Sequence, residues 1–376
     1  MKLLLMITRA ELGGGQTHVA DLIQGLKGSI EVELATGETG YLTEYATKAG
    51  IKWHVLPDLV QPMNPVRDVK AVAQAVQLIR DTHPDLIHAH TSKAGVIGRF
   101  AAKVAGVPAV FTAHTWCFAE GTSLKWKMIG TPLERIAGMC SKQIITVSES
   151  NRQAAIRRHI APASKFTTVH NGISNAIQDV ANPGDNVKIP RIVMVSRFSK
   201  QKAQGHLIEA LSSIGTAFEL VLVGDGPTKS EIEKLVAEKD LGTRVRFLGQ
   251  RMDIPEILAQ SHLFVLSSNW EGFPISILEA MRAGLPVVSS DVNGCREAIV
   301  EGVTGFLVPS GGVPQLRQAV ERLLTDAALR ARMGAEGRKR FEEQFTLEAM
   351  LTKTLSVYRS ALGNTSHILE LRIHDC

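Results

Sequence analysis

The chain has 376 residues, a length that predicts two domains, each large enough to bury its own core. Its 44% hydrophobic and 21% charged residues and its four scattered cysteines exclude a disordered or fibrous chain and a disulfide scaffold, and they favour a reduced, cytoplasmic protein. The net charge of +5 is modest, and no uncharged apolar stretch is long enough to cross a bilayer, so we expect neither a signal peptide nor a membrane span.

Short apolar runs alternate with helical patterns along the whole sequence. The expected strands are Leu3–Ile7, Val32–Ala35, Leu86–Ala89, Ala109–Ala113, Ile144–Val147, Thr167–Val169, Ile192–Val195, Leu220–Val223, Val245–Leu248, Leu263–Leu266 and Pro286–Ser289. The expected helices include Val69–Thr82, Leu207–Ile214, Lys229–Lys239, Ile275–Ala283 and Leu347–Leu362. Because several strands are apolar throughout, the sequence predicts a doubly wound α/β fold in which helices cover both faces of parallel sheets.

Two halves of the sequence open in the same way, with an apolar strand, a polar loop of small residues and a helix. The first opens with LLLMITRAELGGGQTHVADLI and the second with RIVMVSRFSKQKAQGHLIEAL. Residues 181–186 are rich in turn formers and are the best candidate for a linker. We therefore expect Rossmann-like domains over residues 1–182 and 187–345 that face each other across a cleft. A final helix over 346–362 is expected to pack back toward the N-terminal domain, and the tail over 363–376 has no assignment.

Several common motifs are absent from the sequence. Neither half has Gly-x-Gly-x-x-Gly after its first strand, and the chain has no P-loop, no Gly-x-Ser-x-Gly and no His-Glu-x-x-His. These absences argue against a dinucleotide-dependent enzyme, a P-loop NTPase, an α/β-hydrolase and a zinc protease. The chain also has no Asp-x-Asp pair that would chelate a metal.

Glycines and cations follow the first strand of each half. Gly13–Gly15 lie between a strand and a helix, where glycine lets backbone amides approach a phosphate; a plain flexible turn is the alternative. Arg197 and Lys202 flank the corresponding loop of the second half. Since ligands bind at the carboxyl ends of the strands in such sheets, the two cations suit a diphosphate, although surface cations are also common.

The most informative segment is EGFPISILEA, residues 271–280, which follows the strand Leu263–Leu266 after a short loop. Pro274 suits the first position of a helix, whose free amides would bind a pyrophosphate. Glu271 would lie in the loop, where it could reach a sugar, and Glu279 would lie in the helix, where it could accept hydrogen bonds from vicinal hydroxyls. A capping acid and a surface acid are the alternative explanation.

Glu271 and Glu279, framed as EGFPISILEAMRAGLPVV, resemble the E-x7-E signature of retaining family 4 glycosyltransferases of the GT-B fold. VSRFSKQKAQGHLIEAL, VGDGP, VRFLGQRMDIPEIL and EGVTGFLVP match the order of segments in the second domain of that family, and GGGQTHVADL, TAHTWCF, IITVSES and TVHNGI match its first domain. The similarity extends from about residue 3 to about residue 345. The stretch TAHTWCF…EGTSLKWKM is similar to bacterial exopolysaccharide and lipopolysaccharide enzymes of the family.

The resemblance implies a role for each matching residue. The catalytic residues would be Glu271, which contacts the donor sugar, and His114, which contacts a sugar hydroxyl from the N-terminal side. The donor-binding set would be Gly14, Gly15, Arg197, Lys202, Arg251, Met252, Gly272, Phe273, Pro274, Ile275 and Glu279. Within that set Glu279 would bind the ribose, Arg197 and Lys202 the diphosphate, and the backbone at Arg251 and Met252 would border the base.

The sequence departs from the commonest family pattern at two places. Gln16-Thr17 replaces an Ala-Glu or similar pair, and we expect Gln16 and His18 to contact the acceptor, although His18 suits a surface position equally well. Asn293-Gly294 stands where Gly-Gly is frequent. Neither difference removes a residue that the chemistry requires.

The function expected from the resemblance is retaining transfer of a hexose or N-acetylhexosamine from a nucleotide diphosphate sugar to a glycan or lipid-linked acceptor, in cell-surface polysaccharide assembly. The nucleotide is expected to be UDP, and no further cofactor is expected. The cations and helix amides would stabilise the leaving diphosphate without a metal. The alternatives are a nucleotide-sugar epimerase of the same fold and a non-catalytic sugar-nucleotide-binding subunit.

His88 and His90 alternate at the end of an expected strand. A two-histidine metal pair is conceivable, but no third ligand is apparent in the sequence, and we expect no metal site.

The excess positive charge is confined to one block. Residues 86–165 carry 11 basic and 3 acidic side chains, whereas residues 181–376 carry 23 of each. The block is either a solvated basic face or a surface for an anionic partner. It has no nucleic-acid-binding motif. Because this half would hold the acceptor, we expect it to contact an anionic membrane surface. Trp126, which lies between Lys125 and Lys127, is either part of a membrane-interface pattern or an ordinary packed tryptophan.

Overall fold

The computed structural model describes residues 1–176 and 179–363. Residues 364–376, most of the unassigned tail, lie outside the described part of the chain. The chain divides into two compact units. Of the described residues, the first unit contains 1–174 and 347–363, and the second contains 175–176 and 179–346.

The first unit is a seven-stranded, all-parallel sheet in the order β3-β2-β1-β4-β5-β6-β7. Its strands are β1 (Lys2–Ile7), β2 (Glu31–Thr36), β3 (Lys52–Val55), β4 (Leu86–His90), β5 (Ala109–Ala113), β6 (Gln143–Thr146) and β7 (Phe166–Thr168). Its helices are α1 (Gly14–Leu26), α2 (Tyr41–Lys48), α3 (Pro65–Thr82), α4 (Ser92–Ala105), α5 (Leu124–Cys140) and α6 (Glu149–Arg157), with a 3-10 turn at Ala163–Lys165.

The second unit is a six-stranded, all-parallel sheet in the order β10-β9-β8-β11-β12-β13. Its strands are β8 (Arg191–Val195), β9 (Glu219–Val223), β10 (Val245–Gly249), β11 (Leu263–Leu266), β12 (Val287–Ser290) and β13 (Gly305–Val308). Its helices are α7 (Gln204–Ser212), α8 (Lys229–Glu238), α9 (Ile254–Ala259), α10 (Ile275–Arg282), α11 (Asn293–Ala298), α12 (Val313–Thr325) and α13 (Ala327–Gln344). The last helix of the described chain, α14 (Leu347–Leu362), belongs to the first unit.

Both sheets have the doubly wound topology that the strand–helix alternation predicts. In each, the first strand lies near the centre, and successive strands are added on one side of it up to the third strand and on its other side from the fourth. This change of side creates a crevice at the carboxyl ends of β1 and β4 and of β8 and β11. The strands of the centre are buried along their length, as helices cover both faces. The crevice at each reversal is where such sheets bind ligands.

Helix α14 packs on the first unit through an apolar face. Leu351, Leu355 and Tyr358 join the core cluster that holds Leu22 and Ile23 of α1. Gly25 leaves the room that Leu351 needs, since a Cβ at Gly25 would lie 2.1 Å from the Leu351 side chain. The Tyr358 hydroxyl also hydrogen-bonds His88 Nδ1 on β4 at 2.7 Å, so the helix is anchored to the central strands.

The structure differs from the expected division of the chain near residue 182. The expected linker over residues 181–186 belongs to the second unit. The Ala181 amide donates to the Ala283 carbonyl, and the buried Arg330 guanidinium donates to the carbonyls of Pro183 and Asp185. These turn-rich residues are therefore packed against α13, and the division between the units falls after Ser174.

Two strands are missing from the sequence-based set. The edge strand β3 has the sequence KWHV and no fully buried residue, so it has no apolar run to reveal it. β13 begins at Gly305, where a Cβ would lie 1.9 Å from the Val287 carbonyl oxygen. The close approach of β12 requires glycine at this position, although glycine has a low propensity for strands and so does not indicate one in the sequence.

Candidate active site

Two loops of the second unit are joined at the crevice between β8 and β11. Residues 196–203 connect β8 to α7, and residues 267–274 connect β11 to α10. The Asn269 amide donates to the Gln201 carbonyl at 2.7 Å, and the Gln201 side chain donates to the Trp270 carbonyl at 2.9 Å. Because both loops leave neighbouring strands at the same edge, these bonds hold them as one surface.

Lys202 and Glu271 meet on that surface. The Lys202 ammonium forms an ion pair and hydrogen bond with Glu271 Oε1. Ser268 Oγ donates to the same carboxylate oxygen at 2.6 Å. Glu271 is 6% exposed, so its charge is compensated by these two partners. Ser268 was not among the residues expected from the sequence, and its only signal is that it is the second of two serines after a buried strand.

Arg197 lies on the same loop with its side chain exposed. Among the described residues its guanidinium has no hydrogen-bond or ion-pair partner, so it is available to an anion. The backbone beneath it is fixed by the VGDGP segment: the Phe198 amide donates to the Asp225 carbonyl at 3.0 Å. Gly226 has φ +155°, and a Cβ there would lie 2.2 Å from the Phe198 carbonyl oxygen. The segment therefore supports the Arg197 loop by close backbone contact.

Glu279 lies on α10, which begins at Ile275 with Pro274 as its N-cap. Pro274 was expected to be the first helical residue, but it is the N-cap, one residue before the helix begins. The first-turn amides of a helix have no intrahelical acceptor and attract anions. Burial raises the pKa of the Glu279 carboxyl above its ordinary value, and the charge of Arg282 partly opposes the shift. Glu279 is therefore easier to protonate than an exposed glutamate.

Glycine is required where α11 approaches the 267–274 loop. A Cβ at Gly294 would lie 2.0 Å from the Gly272 carbonyl oxygen and 2.8 Å from Phe273 Cα. The preceding Asn293 has a positive φ of 27°, a conformation that asparagine tolerates better than most residues. This explains in physical terms why Asn293-Gly294 can stand in place of two glycines.

Arg251 and Met252 follow β10 and precede α9. Arg251 pairs with Asp253, with 2.7 Å between Nε and Oδ1, and Met252 is 71% exposed. The two residues form an open loop at the carboxyl end of β10, on the same edge of the sheet as the 196–203 loop. Their side chains make no described contact with Lys202 or Glu271.

The glycine loop of the first unit is the start of a helix. Gly14 and Gly15 are the first two residues of α1, with Gly13 as its N-cap. A Cβ at Gly14 would meet nothing within 4 Å, and one at Gly15 would lie 3.6 Å from His114 Cδ2. The loop is therefore open at Gly14 and faces the His114 ring at Gly15. Gln16 instead donates from its side chain to the Arg9 carbonyl at 3.0 Å and closes the β1–α1 turn.

Three histidines from different elements meet beside this loop. His18 comes from α1, His90 from the end of β4, and His114 follows β5. His18 is 3% exposed and His90 is 0% exposed. His90 Nδ1 lies 3.3 Å from His114 Nε2, and the ring centroids of His18 and His114 are 4.9 Å apart. His18 is thus buried within the site and not on the surface.

Burial keeps these imidazoles neutral. It lowers the pKa of His18 to about 4 and lowers the pKa of His90 and of His114 well below the ordinary value, with the neighbouring histidines adding to the effect. His88, behind His90, is also buried, and both its nitrogens are satisfied at 2.7 Å by the hydroxyls of Tyr358 and Thr112. A neutral His114 can donate or accept a hydrogen bond but carries no charge to a substrate.

Comparison with known proteins agrees with this architecture. Residues 12–176 match the family described as Glycosyltransferase Family 4, and residues 177–340 match the family described as Glycosyl transferases group 1. The chain is 29% identical over 352 residues to the UDP-Gal:alpha-D-GlcNAc-diphosphoundecaprenol alpha-1,3-galactosyltransferase of Escherichia coli, covering 89% of this chain and 90% of that protein. It is 26% identical over 356 residues to the capsular polysaccharide biosynthesis glycosyltransferase CapM of Staphylococcus aureus, covering 89% and 91%.

The fold is also that of solved structures. Anabaena Alr3699/HepE, in a crystal structure with UDP and glucose, superposes with a TM-score of 0.83 at 24% identity, covering 95% of this chain and 99% of that chain. The expected GT-B fold, built of two Rossmann-like domains, is confirmed. From the two family matches, which together extend over residues 12–340, and the relatives that cover most of its length, the chain is a glycosyltransferase and belongs to family 4.

Proposed function

We propose that the protein is a retaining glycosyltransferase that moves a hexose or N-acetylhexosamine from a UDP-sugar to a glycan or lipid-linked acceptor in polysaccharide assembly. The observation that carries this proposal is the shared surface of the 196–203 and 267–274 loops, which brings Lys202 to Glu271. The first of these loops also carries the exposed Arg197, whose guanidinium has no partner among the described residues. The UDP-sugar assignment is supported by relatives: HepE is solved with UDP-glucose, and the E. coli protein is named for UDP-Gal.

On the donor side, the diphosphate would lie against Arg197, Lys202 and the first-turn amides of α10. Positive charge and oriented amides stabilise the negative charge that develops on a leaving phosphate, so the chemistry does not depend on a metal ion. Glu279, farther along α10, would accept hydrogen bonds from the ribose hydroxyls. In the absence of donor, Lys202 pairs with Glu271. When the donor binds, Lys202 would interact with both the diphosphate and Glu271, and Glu271 would contact the donor sugar.

The proposed transfer keeps the configuration of the anomeric carbon. The bond from that carbon to the diphosphate oxygen breaks, and the oxygen keeps the electron pair. An acceptor hydroxyl forms the new bond on the same face, and its proton passes to the departing phosphate oxygen. Because the departing phosphate oxygen takes the proton of the acceptor hydroxyl, the proposed transfer needs no side-chain base. The alpha-1,3 linkage in the name of the E. coli relative is the product that retention would give from an α-linked donor.

On the first unit, Gly14, Gly15 and His114 form the surface proposed to serve the donor. Gly14 is open, so the α1 amides at this point can be approached closely. The neutral His114 ring would hydrogen-bond a sugar hydroxyl. We propose that His18 contacts the acceptor over a smaller area than the sequence suggests, because its side chain is buried. Gln16 supports the β1–α1 loop through its hydrogen bond to the Arg9 carbonyl.

We also propose contact with an anionic membrane surface through the outward face of α5. Five large apolar side chains are exposed there: Leu124 (74%), Met128 (68%), Ile129 (46%), Ile136 (49%) and Met139 (70%). The opposite face, which packs on the protein, holds Gly130, Glu134, Ala137 and Gly138. A helix with its large apolar residues turned outward and lysines beside them suits a lipid interface. None of the helices in the described residues has the length and apolar character to cross a bilayer.

A donor screen tests the proposed activity. Purified protein is incubated with a panel of UDP-, GDP- and ADP-sugars and a bacterial membrane-lipid extract, and products are identified by mass spectrometry. We expect a mass increase of one hexose or N-acetylhexosamine on a lipid-linked acceptor, with UDP-sugars only. Donor conversion without acceptor, to an isomeric nucleotide sugar, would identify an epimerase instead. Donor binding without any product over a broad acceptor panel would identify a non-catalytic subunit.

A further inference from the structure

The His18–His90–His114 cluster has the composition and spacing of a metal site. One ring nitrogen of each histidine lies within 4.8 Å of the others. The separation of 3.3 Å between His90 Nδ1 and His114 Nε2 equals the distance of about 3.3 Å between two ligands of a tetrahedral zinc whose Zn–N bonds are about 2.0–2.1 Å. Two of the three nitrogens therefore have a separation that fits such an ion, which would replace the hydrogen bond that they make to each other.

The hydrogen bonding of the cluster is incomplete without a further partner. His18 Nδ1 is buried and has no hydrogen-bond partner among the described residues. An unsatisfied buried polar atom costs about 1–3 kcal/mol. The neighbouring His88 offers a contrast, since hydroxyl groups satisfy both of its nitrogens. Both nitrogens of the buried His88 ring are thus satisfied, whereas Nδ1 of the buried His18 ring is not.

The surroundings suit a bound ion with an open coordination position. His114 is partly exposed and faces Gly15, where no side chain intervenes. Three imidazoles leave one position of a tetrahedral ion for water or a substrate oxygen. The donor set is nitrogen only, and neutral imidazole ligands favour zinc, copper or nickel over magnesium or calcium.

We propose that His18, His90 and His114 bind one divalent transition-metal ion, for which zinc is the best fit. The site goes beyond the proposed glycosyl transfer, which needs no metal. If His114 contacts the donor sugar as proposed above, an ion held by His114 competes with that contact, and zinc inhibits transfer. That consequence rests on the proposed function, whereas binding of the ion does not.

The test measures metal binding in the absence of any donor or acceptor. Full-length protein without a histidine tag is stripped with a chelator and desalted. Cobalt(II) is then added and its visible absorption recorded, and zinc affinity is measured by competition with a chromogenic chelator. We expect one ion per chain, a cobalt spectrum of nitrogen ligands, and displacement of cobalt by zinc.

His90→Asn and His18→Gln should each weaken zinc binding by about tenfold or more, because each removes one of three ligands. His83→Asn is the matched control: His83 is exposed and has a positive φ of 48°, which asparagine accepts, so binding should not change. Circular dichroism checks that each variant is folded, and if His90→Asn is not, His18→Gln decides. The proposal is overturned if the wild-type protein takes up no ion, if both ligand variants bind as the wild type does, or if a thiolate-to-cobalt band identifies cysteine ligands.

Discussion

Lys202 and Glu271, 69 positions apart in the chain, form an ion pair at the carboxyl edge of the second sheet. The pair exists because β8 and β11 are neighbours in the sheet, so the loops that follow them leave the same edge. It joins a residue expected to hold the diphosphate to one expected to contact the sugar. Both groups are therefore positioned before a donor arrives, which lowers the cost of ordering them on binding.

Glu271→Gln should reduce transfer by about 100-fold or more, while affinity for the nucleotide stays within a few-fold of the wild type. The amide keeps the shape and the hydrogen bond from Ser268 but removes the negative charge that faces the reacting centre. Turnover and the Kd for UDP are measured in parallel. Glu336→Gln, an exposed change on α13, serves as control. Unchanged turnover in Glu271→Gln would remove this residue from the reaction.

Arg197→Ala should weaken UDP-sugar binding by about 10- to 100-fold, since a charge-assisted hydrogen bond contributes about 1.5–3 kcal/mol. Folding should be unaffected because the side chain is exposed. Lys200→Ala, on the same loop and also exposed, controls for the general loss of positive charge and should change affinity less than threefold or so. Isothermal titration with UDP-sugar checks both variants, and equal losses in the two would indicate a nonspecific effect of charge.

Donor affinity should decrease as the pH falls from about 8 to about 5. The pKa of Glu279 is raised by burial, so this carboxyl gains its proton at a higher pH than an ordinary glutamate and then accepts hydrogen bonds from the ribose less strongly, because the acceptor is no longer charged. In Glu279→Gln, affinity should be weaker at neutral pH and nearly independent of pH over this range. A wild-type affinity that is constant down to about pH 5 would contradict the assignment.

The same substitution has a predicted effect on stability. A carboxyl whose folded pKa is raised binds more protons in the folded state, so its contribution to the free energy of unfolding declines as the pH rises through that pKa. Glu279→Gln removes the charge and should leave the protein at least as stable as the wild type at pH 7. Chemical denaturation measures this, and it separates a loss of donor affinity from a loss of fold.

Met128→Asp together with Met139→Asp should release the protein from anionic vesicles, with an affinity loss of about tenfold or more, because two exposed apolar side chains no longer enter the lipid interface. Sedimentation with phosphatidylglycerol-containing vesicles measures the bound fraction, and purely zwitterionic vesicles should bind less. Val69→Asp on α3 is the control, since Val69 is 71% exposed, as exposed as the two methionines. If the wild-type protein does not sediment with either vesicle, the membrane proposal fails.

Most of the fold follows from local patterns in the sequence. Ala109–Ala113, Leu263–Leu266 and Leu347–Leu362 have the predicted bounds, because buried parallel strands are short apolar runs and a surface helix has a periodic apolar face. β3 and β13 were not predictable in this way. An exposed edge strand has no apolar run, and the glycine that starts β13 is required by a neighbour that is distant in sequence.

The sequence by itself determined the class of sheet and the family, and it supplied the residue types of the proposed donor site, since these depend on motifs whose members lie within a few residues of one another. The tertiary structure alone decided which of those residues meet. His18, His90 and His114 span almost a hundred positions, and the strand order brings them together. The two histidines that meet His90 could not be found by spacing, because they come from other elements, whereas the neighbouring His88 bonds to two hydroxyl groups instead. Contacts of that kind depend on which strands pair, and strand pairing is a property of the folded chain.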